Sequence, residues 1–407
     1  MKIREKFPIL RNNPGLIYLD NGATTLKPIS VIQAETSYLE NISANPHAID
    51  YKTGFAATEI ITETRVKTAK LINAKNTNEV IFTSGTTHSI NQIAFGLKNF
   101  IHEKDEILVT TMEHSANLLP WIIVANEKKA QIVKIPLNKD TGININKLVE
   151  VITPQTKIFS FVHASNTIGF ENDVKKIVQK VRTINPNIII VVDCAQTIAH
   201  TNVDVESWDV DFIAFSAHKM YGPFGLGVLW GKIALLNELL PIFYGGGMSK
   251  EISEDLINYK LASIPAKFEA GTPNISAIAA FLAALNFLEE IKIEKIRKHE
   301  HELKDYLRNK IKANKLDLKI DFYNLENHAP ILNFNAKNVN PQDITHFLDF
   351  KYKIASRSGA HCARRTEEVY GEKTSVRISF GVYNTKEEID VLIEALNNID
   401  KFLDVIF

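Results

Sequence analysis

Two cysteines in 407 residues are too few for a disulfide framework, and they fit a chain kept in a reducing compartment. Net charge is missing too: 47 Lys and Arg balance 47 Asp and Glu. Without concentrated positive charge, neither nucleic acid nor a membrane surface is an expected partner. Long apolar runs are also absent. The longest apolar-rich stretch, Ile275 to Leu288, contains Ser276 and Asn286 and falls short of the ~20 residues a spanning helix needs. Residues Met1 to Pro8 carry positive charge but no apolar run of signal-peptide length. A soluble cytoplasmic protein is expected. No repeat and no low-complexity segment is evident, and 45% hydrophobic with 23% charged residues is an ordinary globular composition.

From Glu79 to Trp230, β-rich runs alternate with helical patterns. The runs are Glu79–Thr83, Glu106–Thr110, Gln131–Ile135, Lys157–Val162, Ile188–Val192 and Phe212–Phe215. Their near-continuous apolar character suits strands buried on both faces. Asn172 to Asn185 spaces Val174, Ile177, Val178 and Val181 as a helix does. Such alternation predicts an α/β domain around a mostly parallel sheet. After Gly271-Thr272-Pro273 the pattern changes. Ile275 to about Ala313 reads as one long helix, followed by a strand at Pro330–Phe334 and a helix at Asp343–Lys351. A strand near Ser375–Phe380 and a helix from Lys386 to about Phe402 complete the chain. The expected division is a large domain over 21–280 and a smaller α+β domain from 1–20 with 281–407.

Open α/β sheets bind ligands beyond the C-terminal ends of their strands. Glu79–Thr83 is followed by Ser84-Gly85-Thr86-Thr87-His88, where glycine, hydroxyls and a helix start suit a phosphate. A plain N-cap threonine reads equally well there. Asp193 ends an apolar run and needs a partner, either backbone donors or a cationic ligand nitrogen. Lys219, in Ser216-Ala217-His218-Lys219-Met220-Tyr221-Gly222-Pro223, is a surface lysine or an amine poised for a Schiff base. Together the three supply what pyridoxal phosphate requires: an amine for its aldehyde, an anion for its ring nitrogen and donors for its phosphate.

His114 and Asn166 also follow strand runs: His114 reads as a loop residue or as a catalytic imidazole that stacks on the ring or shuttles protons, and Asn166 as a loop residue or as a contact to the ring hydroxyl and substrate. Cys194 lies under a buried strand and reads as packing. Cys362, flanked by His361 and by Arg364-Arg365 in a glycine-containing loop, reads as a reactive thiol or an incidental one. Arg377 sits mid-strand, where a carboxylate clamp or a structural ion pair explains its charge. Lys298-His299-Glu300-His301-Glu302 looks like a metal cluster, but its histidines point in different directions on a helix, and it reads as a solvated charged face. No metal site is expected.

The chain resembles the cysteine desulfurases of the class V aminotransferase group, specifically their SUF-type (group II) branch. The resemblance extends from Tyr18-Leu19-Asp20-Asn21-Gly22-Ala23 to Tyr383-Asn384-Thr385. It rests on Phe82-Thr83-Ser84-Gly85-Thr86-Thr87, Glu113-His114-Ser115-Ala116-Asn117, Asp193-Cys194-Ala195-Gln196, the Lys219 stretch, Phe268-Glu269-Ala270-Gly271-Thr272-Pro273 and Gly359-Ala360-His361-Cys362. It implies a PLP-dependent transferase of fold type I, with a large, mostly parallel mixed sheet and a smaller α+β domain. Lys219 would form the Schiff base and remove the substrate Cα proton, and Asp193 would face the ring nitrogen. Gln196 and Asn166 would lie near the ring hydroxyl, with His114 stacked on the ring. Thr86, Thr87, Ser216 and His218 would hold the phosphate, reached also by Thr272 of a second subunit in a homodimer. Arg377 would bind the substrate carboxylate, with Arg357 near the nucleophile loop. Cys362 would take sulfur from L-cysteine, leaving alanine, and pass it to an acceptor protein for iron–sulfur assembly or thiolation.

The sequence departs from the group II pattern at His47-Ala48-Ile49, where an arginine is usual, at His88, where a glutamate is, and at Arg364-Arg365. None of these removes a catalytic group. Two other readings stay open. One is a selenocysteine lyase, cysteine sulfinate lyase or aminotransferase on the same fold. The other is a non-catalytic scaffold, against which the intact Lys219, Asp193, Cys362 and Arg377 argue.

Overall fold

The computed structural model describes residues 3–46, 48–138 and 142–402. The main sheet contains Val80–Thr83 (β1), Glu106–Thr110 (β2), Gln131–Ile135 (β3), Thr156–Val162 (β4), Ile189–Asp193 (β5), Phe212–Ser216 (β6) and Gly227–Gly231 (β7). Their spatial order is β1-β7-β6-β5-β4-β2-β3. β7 runs antiparallel to both neighbours, and the remaining pairs are parallel. This is an α/β fold with a mixed, mostly parallel sheet. Alternate residues pack into opposite faces: Phe159, Phe161 and Val192 into one core, Ile107, Ile158 and Val191 into another. That two-sided burial is why the strands are apolar throughout.

Helices Ile29–Asn41 (α1), Lys52–Leu71 (α2), Thr86–Gly96 (α3), Leu119–Lys128 (α4) and Val174–Ile184 (α5) belong to this half. α5 starts on Asp173, whose carboxylate accepts the Lys176 N–H at 3.1 Å. After β7, Ser249–Ile252 (β8) and Tyr259–Leu261 (β9) form a separate two-stranded hairpin. It leaves Ile252, Leu256, Ile257 and Tyr259 exposed.

The expected single helix over 275–313 is two: Ile275–Ile291 (α6) and Ile293–Ala313 (α7), divided at Lys292 with φ +74°. The break serves two cores. α6 packs against α1 and α2, whereas Leu303, Leu307 and Ile311 of α7 enter a second core. That core lies on a four-stranded antiparallel sheet of Ile320–Phe322 (β10), Ile331–Ala336 (β11), Arg357–Gly359 (β12) and Ser375–Ser379 (β13), ordered β10-β11-β13-β12. Pro341–Tyr352 (α8) and Lys386–Asn397 (α9) cover it. α9 begins at a capping box between Thr385 and Glu388 and ends before the expected Phe402. The charged run in α7 is only partly solvated. Glu300 is 1% exposed and paired with His200 Nδ1 at 2.8 Å, which compensates the buried carboxylate, and His299 Nε2 donates to the Asn384 carbonyl at 3.0 Å.

Residues 17–20 reach across to this second sheet. Ile17–Tyr18 pairs in parallel with Ile354–Ala355, and Asp20 bridges to Ser379. No helix among the described residues is long and apolar enough to cross a membrane.

Candidate active site

The C-terminal ends of β4, β5 and β6 open onto a cavity of about 190 Å³, closed on its other side by β12 and β13. At its floor, Gly85 (φ +151°) turns β1 into α3 and presents the helix start. The turn sits directly on β7: a Cβ at Gly227 would lie 2.4 Å from Gly85 Cα. The Thr86 N–H donates to Ser216 Oγ at 2.8 Å, and the two hydroxyls are 2.7 Å apart. Thr87 and His218 complete this corner, where His218 Nδ1 is buried without a partner. Hydroxyls, a helix start and an unused imidazole nitrogen make an anion cradle.

Asp193 closes β5. Burial pushes its carboxyl up, opposed by the Ala195 N–H at 2.9 Å and by Lys219. Lys219 follows β6 in a tight turn, and burial, with Arg377 and Arg357, lowers its amine to about 8 despite Asp193. Four donors converge on the carbonyl of the residue before it. Thr24 Oγ1, Thr25 N, Thr25 Oγ1 and Lys27 Nζ all lie within 2.9–3.1 Å of the His218 oxygen. The Lys219 backbone is thereby fixed from residues far away in sequence.

His114 follows β2. Burial and the neighbouring cations lower its imidazole to about 4, so the ring is neutral near pH 7, and Nδ1 accepts the Ala116 N–H at 3.1 Å. Beneath it, buried Glu113 accepts from Asn117 Nδ2 at 2.6 Å, from the Val162 N–H at 3.1 Å and from Thr110 Oγ1. Burial nevertheless raises Glu113 to about 8. Gln196 donates to the Gly22 carbonyl at 2.8 Å, and Asn166 to the His361 carbonyl at 2.7 Å.

From the second sheet, Arg357 and Arg377 enter the cavity. Arg377 is 1% exposed, holds Asp20 at 2.9 Å and the Asn166 carbonyl at 3.1 Å, and leaves its Nε unpartnered. Cys362 is exposed at φ +56°, and its carbonyl accepts from Ser115. Cys194 is buried, which pushes its thiol well up, as packing requires.

Eleven expected residues therefore line one cavity: Thr86, Thr87, His114, Asn166, Asp193, Gln196, Ser216, His218, Lys219, Arg357 and Arg377. Cys362 and Thr272 do not line it; Thr272 is exposed beside Gly271. Asp20, Lys27 and Ser115 escaped sequence reasoning as functional residues, although Asp20 and Ser115 stand in motifs that it used. Of the departures, His88 Nδ1 accepts the Ser84 N–H at 3.1 Å and its ring meets Phe243 edge-on, while His47 lies outside the described residues.

Residues 17–392 match the family model of class-V aminotransferases. The chain is 38% identical to a probable cysteine desulfurase of Ureaplasma parvum, over 98% of this chain and 97% of that protein. It is 39% identical to a cysteine desulfurase of Wigglesworthia glossinidia brevipalpis, over 99% and 98%. Among solved structures, it superposes on the apo cysteine desulfurase of Thermococcus onnurineus NA1 with a TM-score of 0.91 and 31% identity, covering 98% of this chain and 97% of the other. The cysteine desulfurase CsdA of Escherichia coli gives a TM-score of 0.86 at 33% identity with the same coverage.

Proposed function

The chain belongs to the class-V aminotransferase family, among its cysteine desulfurases, and from that footing we propose a SUF-type enzyme that takes sulfur from L-cysteine. The products are L-alanine and a persulfide on Cys362, bound for an acceptor protein of iron–sulfur assembly. One observation carries the reading: a lysine and a buried aspartate share a cavity with two arginines, and an exposed cysteine is tethered beside it.

The cavity fits pyridoxal phosphate. Asp193 would face the ring nitrogen, and the cradle of Thr86, Thr87, Ser216 and His218 would take the phosphate, offering the unpartnered His218 Nδ1. Neutral His114 would lie against the ring, and Gln196 and Asn166 would reach its hydroxyl. Lys219 would hold the aldehyde carbon. When bound, the cofactor supplies an electron sink for negative charge at the substrate Cα.

The chain's own residues do the rest. Arg377 and Arg357 bind and orient the substrate carboxylate. The Lys219 amine, lowered to about 8, takes the Cα proton near neutral pH. The Cys362 thiolate then attacks the substrate sulfur. The S–S bond forms as the Cβ–S bond breaks, and its electron pair stays with Cβ, which takes a proton on the way to alanine. Sulfur is oxidised to the persulfide level while carbon is reduced, so no outside oxidant is needed.

A homodimer completes this reading. Exposed Phe243, Tyr244, Leu256, Ile257 and Tyr259, on and near the β8–β9 hairpin, suit burial against a second copy, whose Thr272 would reach the phosphate. Residues 21–280 would form the cofactor-binding unit, and 1–20 with 281–407 the unit carrying the Cys362 loop; residues 1, 2 and 403–407 lie outside the described structure. Two free thiols suit the cytoplasm.

A single turnover with L-cysteine tests the proposal. Equal amounts of alanine and Cys362 persulfide are expected. Cys362→Ser should bind the cofactor and make no persulfide, and Lys219→Ala should lose the Schiff-base absorbance. Pyruvate without alanine would move the assignment to transamination or elimination.

A further inference from the structure

The Cys362 carbonyl accepts two hydrogen bonds from one residue, the Ser115 N–H at 2.7 Å and the Ser115 hydroxyl at 2.8 Å. The preceding carbonyl, of His361, accepts from Asn166 Nδ2 at 2.7 Å. The His361 ring is fixed in turn by the Ser375 carbonyl at 3.0 Å. Between these anchors, His361 and Cys362 both adopt left-handed backbone, at φ +50° and +56°. Non-glycine residues occupy that region at a cost of ~1 kcal/mol or more each. Local preference does not choose this shape. The outside contacts hold it.

Ser115 is itself firmly placed. It opens a short turn over Ser115–Asn117, and buried Asn117 is bonded to Glu113 and to Ser160 Oγ, each at 2.6 Å. The turn follows directly on His114, which lines the cavity. The nucleophile loop is thus held by Asn166 at His361 and by Ser115 at Cys362 itself, one residue from the proposed ring contact.

We propose that Ser115 is the positioning residue for the Cys362 thiol: its N–H and hydroxyl seat the Cys362 carbonyl at the cavity mouth, so that the sulfur meets substrate rather than solvent. Ser115 touches no reacting atom. It acts through the backbone beside the nucleophile, and the step it serves is the S–S bond formation and Cβ–S cleavage described above. The proposal rests on the desulfurase reading.

The test compares wild-type, S115A and S115T holoenzymes reacting with L-cysteine in deuterated buffer. Exchange of the substrate Cα hydrogen reports the Lys219 step, and persulfide on Cys362 reports sulfur transfer. S115A should keep Cα exchange within about twofold and lose persulfide formation by about fivefold, the worth of one net hydrogen bond. S115T, which restores a hydroxyl, should recover most of the loss. In the cofactor-free chains, the amide hydrogen of residue 115 should exchange about fivefold faster in S115A, because its acceptor leaves more often. Unchanged persulfide formation in S115A overturns the proposal. So does a parallel fall of both steps, which would give Ser115 a role in the cavity floor or the fold. Wild type that exchanges the Cα hydrogen without forming Cys362 persulfide overturns the desulfurase reading itself, and the proposal with it.

Discussion

Arg357 and Arg377 stand directly opposite one another across the antiparallel β12–β13 pair, and both reach the cavity that contains Lys219. Like charges so placed repel. Asp20 offsets only one of them, through its 2.9 Å bond to Arg377. The pair leaves a place for a second anion, which under the proposed function the substrate carboxylate would fill. Arg377→Lys keeps the charge but loses the planar fork, so KM for L-cysteine should rise by about tenfold to a hundredfold with a smaller change in kcat. Steady-state kinetics decide, and an unchanged KM would remove Arg377 from substrate binding.

The Lys219 amine at about 8 predicts how cofactor capture varies with pH. Only the neutral amine attacks an aldehyde. Its fraction grows about tenfold between pH 7 and pH 9 and then levels off, whereas an unperturbed lysine would keep gaining up to its ordinary value near 10.5. Stopped-flow mixing of the cofactor-free chain with pyridoxal phosphate should show a rate that rises and then flattens. A rate still climbing steeply above pH 9 would contradict the perturbed amine.

Glu113 ties stability to pH. Its carboxyl is raised from 4.5 to about 8, so between those values the folded chain binds the proton more tightly than the unfolded chain does. That contribution is fully present below pH 4.5 and is lost as pH climbs through 8. Glu113→Gln removes the titration but sets an N–H against Asn117 Nδ2, leaving one buried donor unpaired at a cost of about 1–3 kcal/mol. The variant should melt lower than wild type at pH 6, and the gap should narrow by pH 9. Melting temperatures across that range check the trend.

Gly227→Ala would place a methyl 2.4 Å from Gly85 Cα, against backbone that cannot rotate away. The anion cradle should deform, with a stability loss of about 1–3 kcal/mol and weaker retention of pyridoxal phosphate. Equilibrium dialysis and thermal melting read the two effects separately.

The residues legible in sequence were those at strand ends. In a parallel sheet successive strands finish on the same edge, so Thr86, Asp193 and Lys219, widely spaced in the chain, converge without any knowledge of tertiary contacts. The order of β-rich runs and helical spacings was enough for that half of the fold. What escaped depends on distant partners. The ion pair of Asp20 and Arg377 spans 357 positions, and nothing local to either residue signals it. The Lys292 break was hidden because lysine favours helix, and only the existence of two cores forces the turn there. Glu300 looked solvated because its neutralising partner, His200, lies a hundred residues earlier. Ser115 acts on a backbone carbonyl, which a side-chain motif cannot reveal.

Several of the first twenty residues find partners among the last, including Arg4 with Glu388, Ile17 with Ile354, and Asp20 with Arg377. On the ribosome, these opening segments wait for almost the entire chain to emerge. The main sheet can collapse earlier on its own strands, but its cavity then lacks both arginines and the cysteine. Under the proposed function, a nascent chain of that length would hold the cofactor's phosphate without seating cysteine or accepting its sulfur, so the chemistry would start only when synthesis is nearly finished.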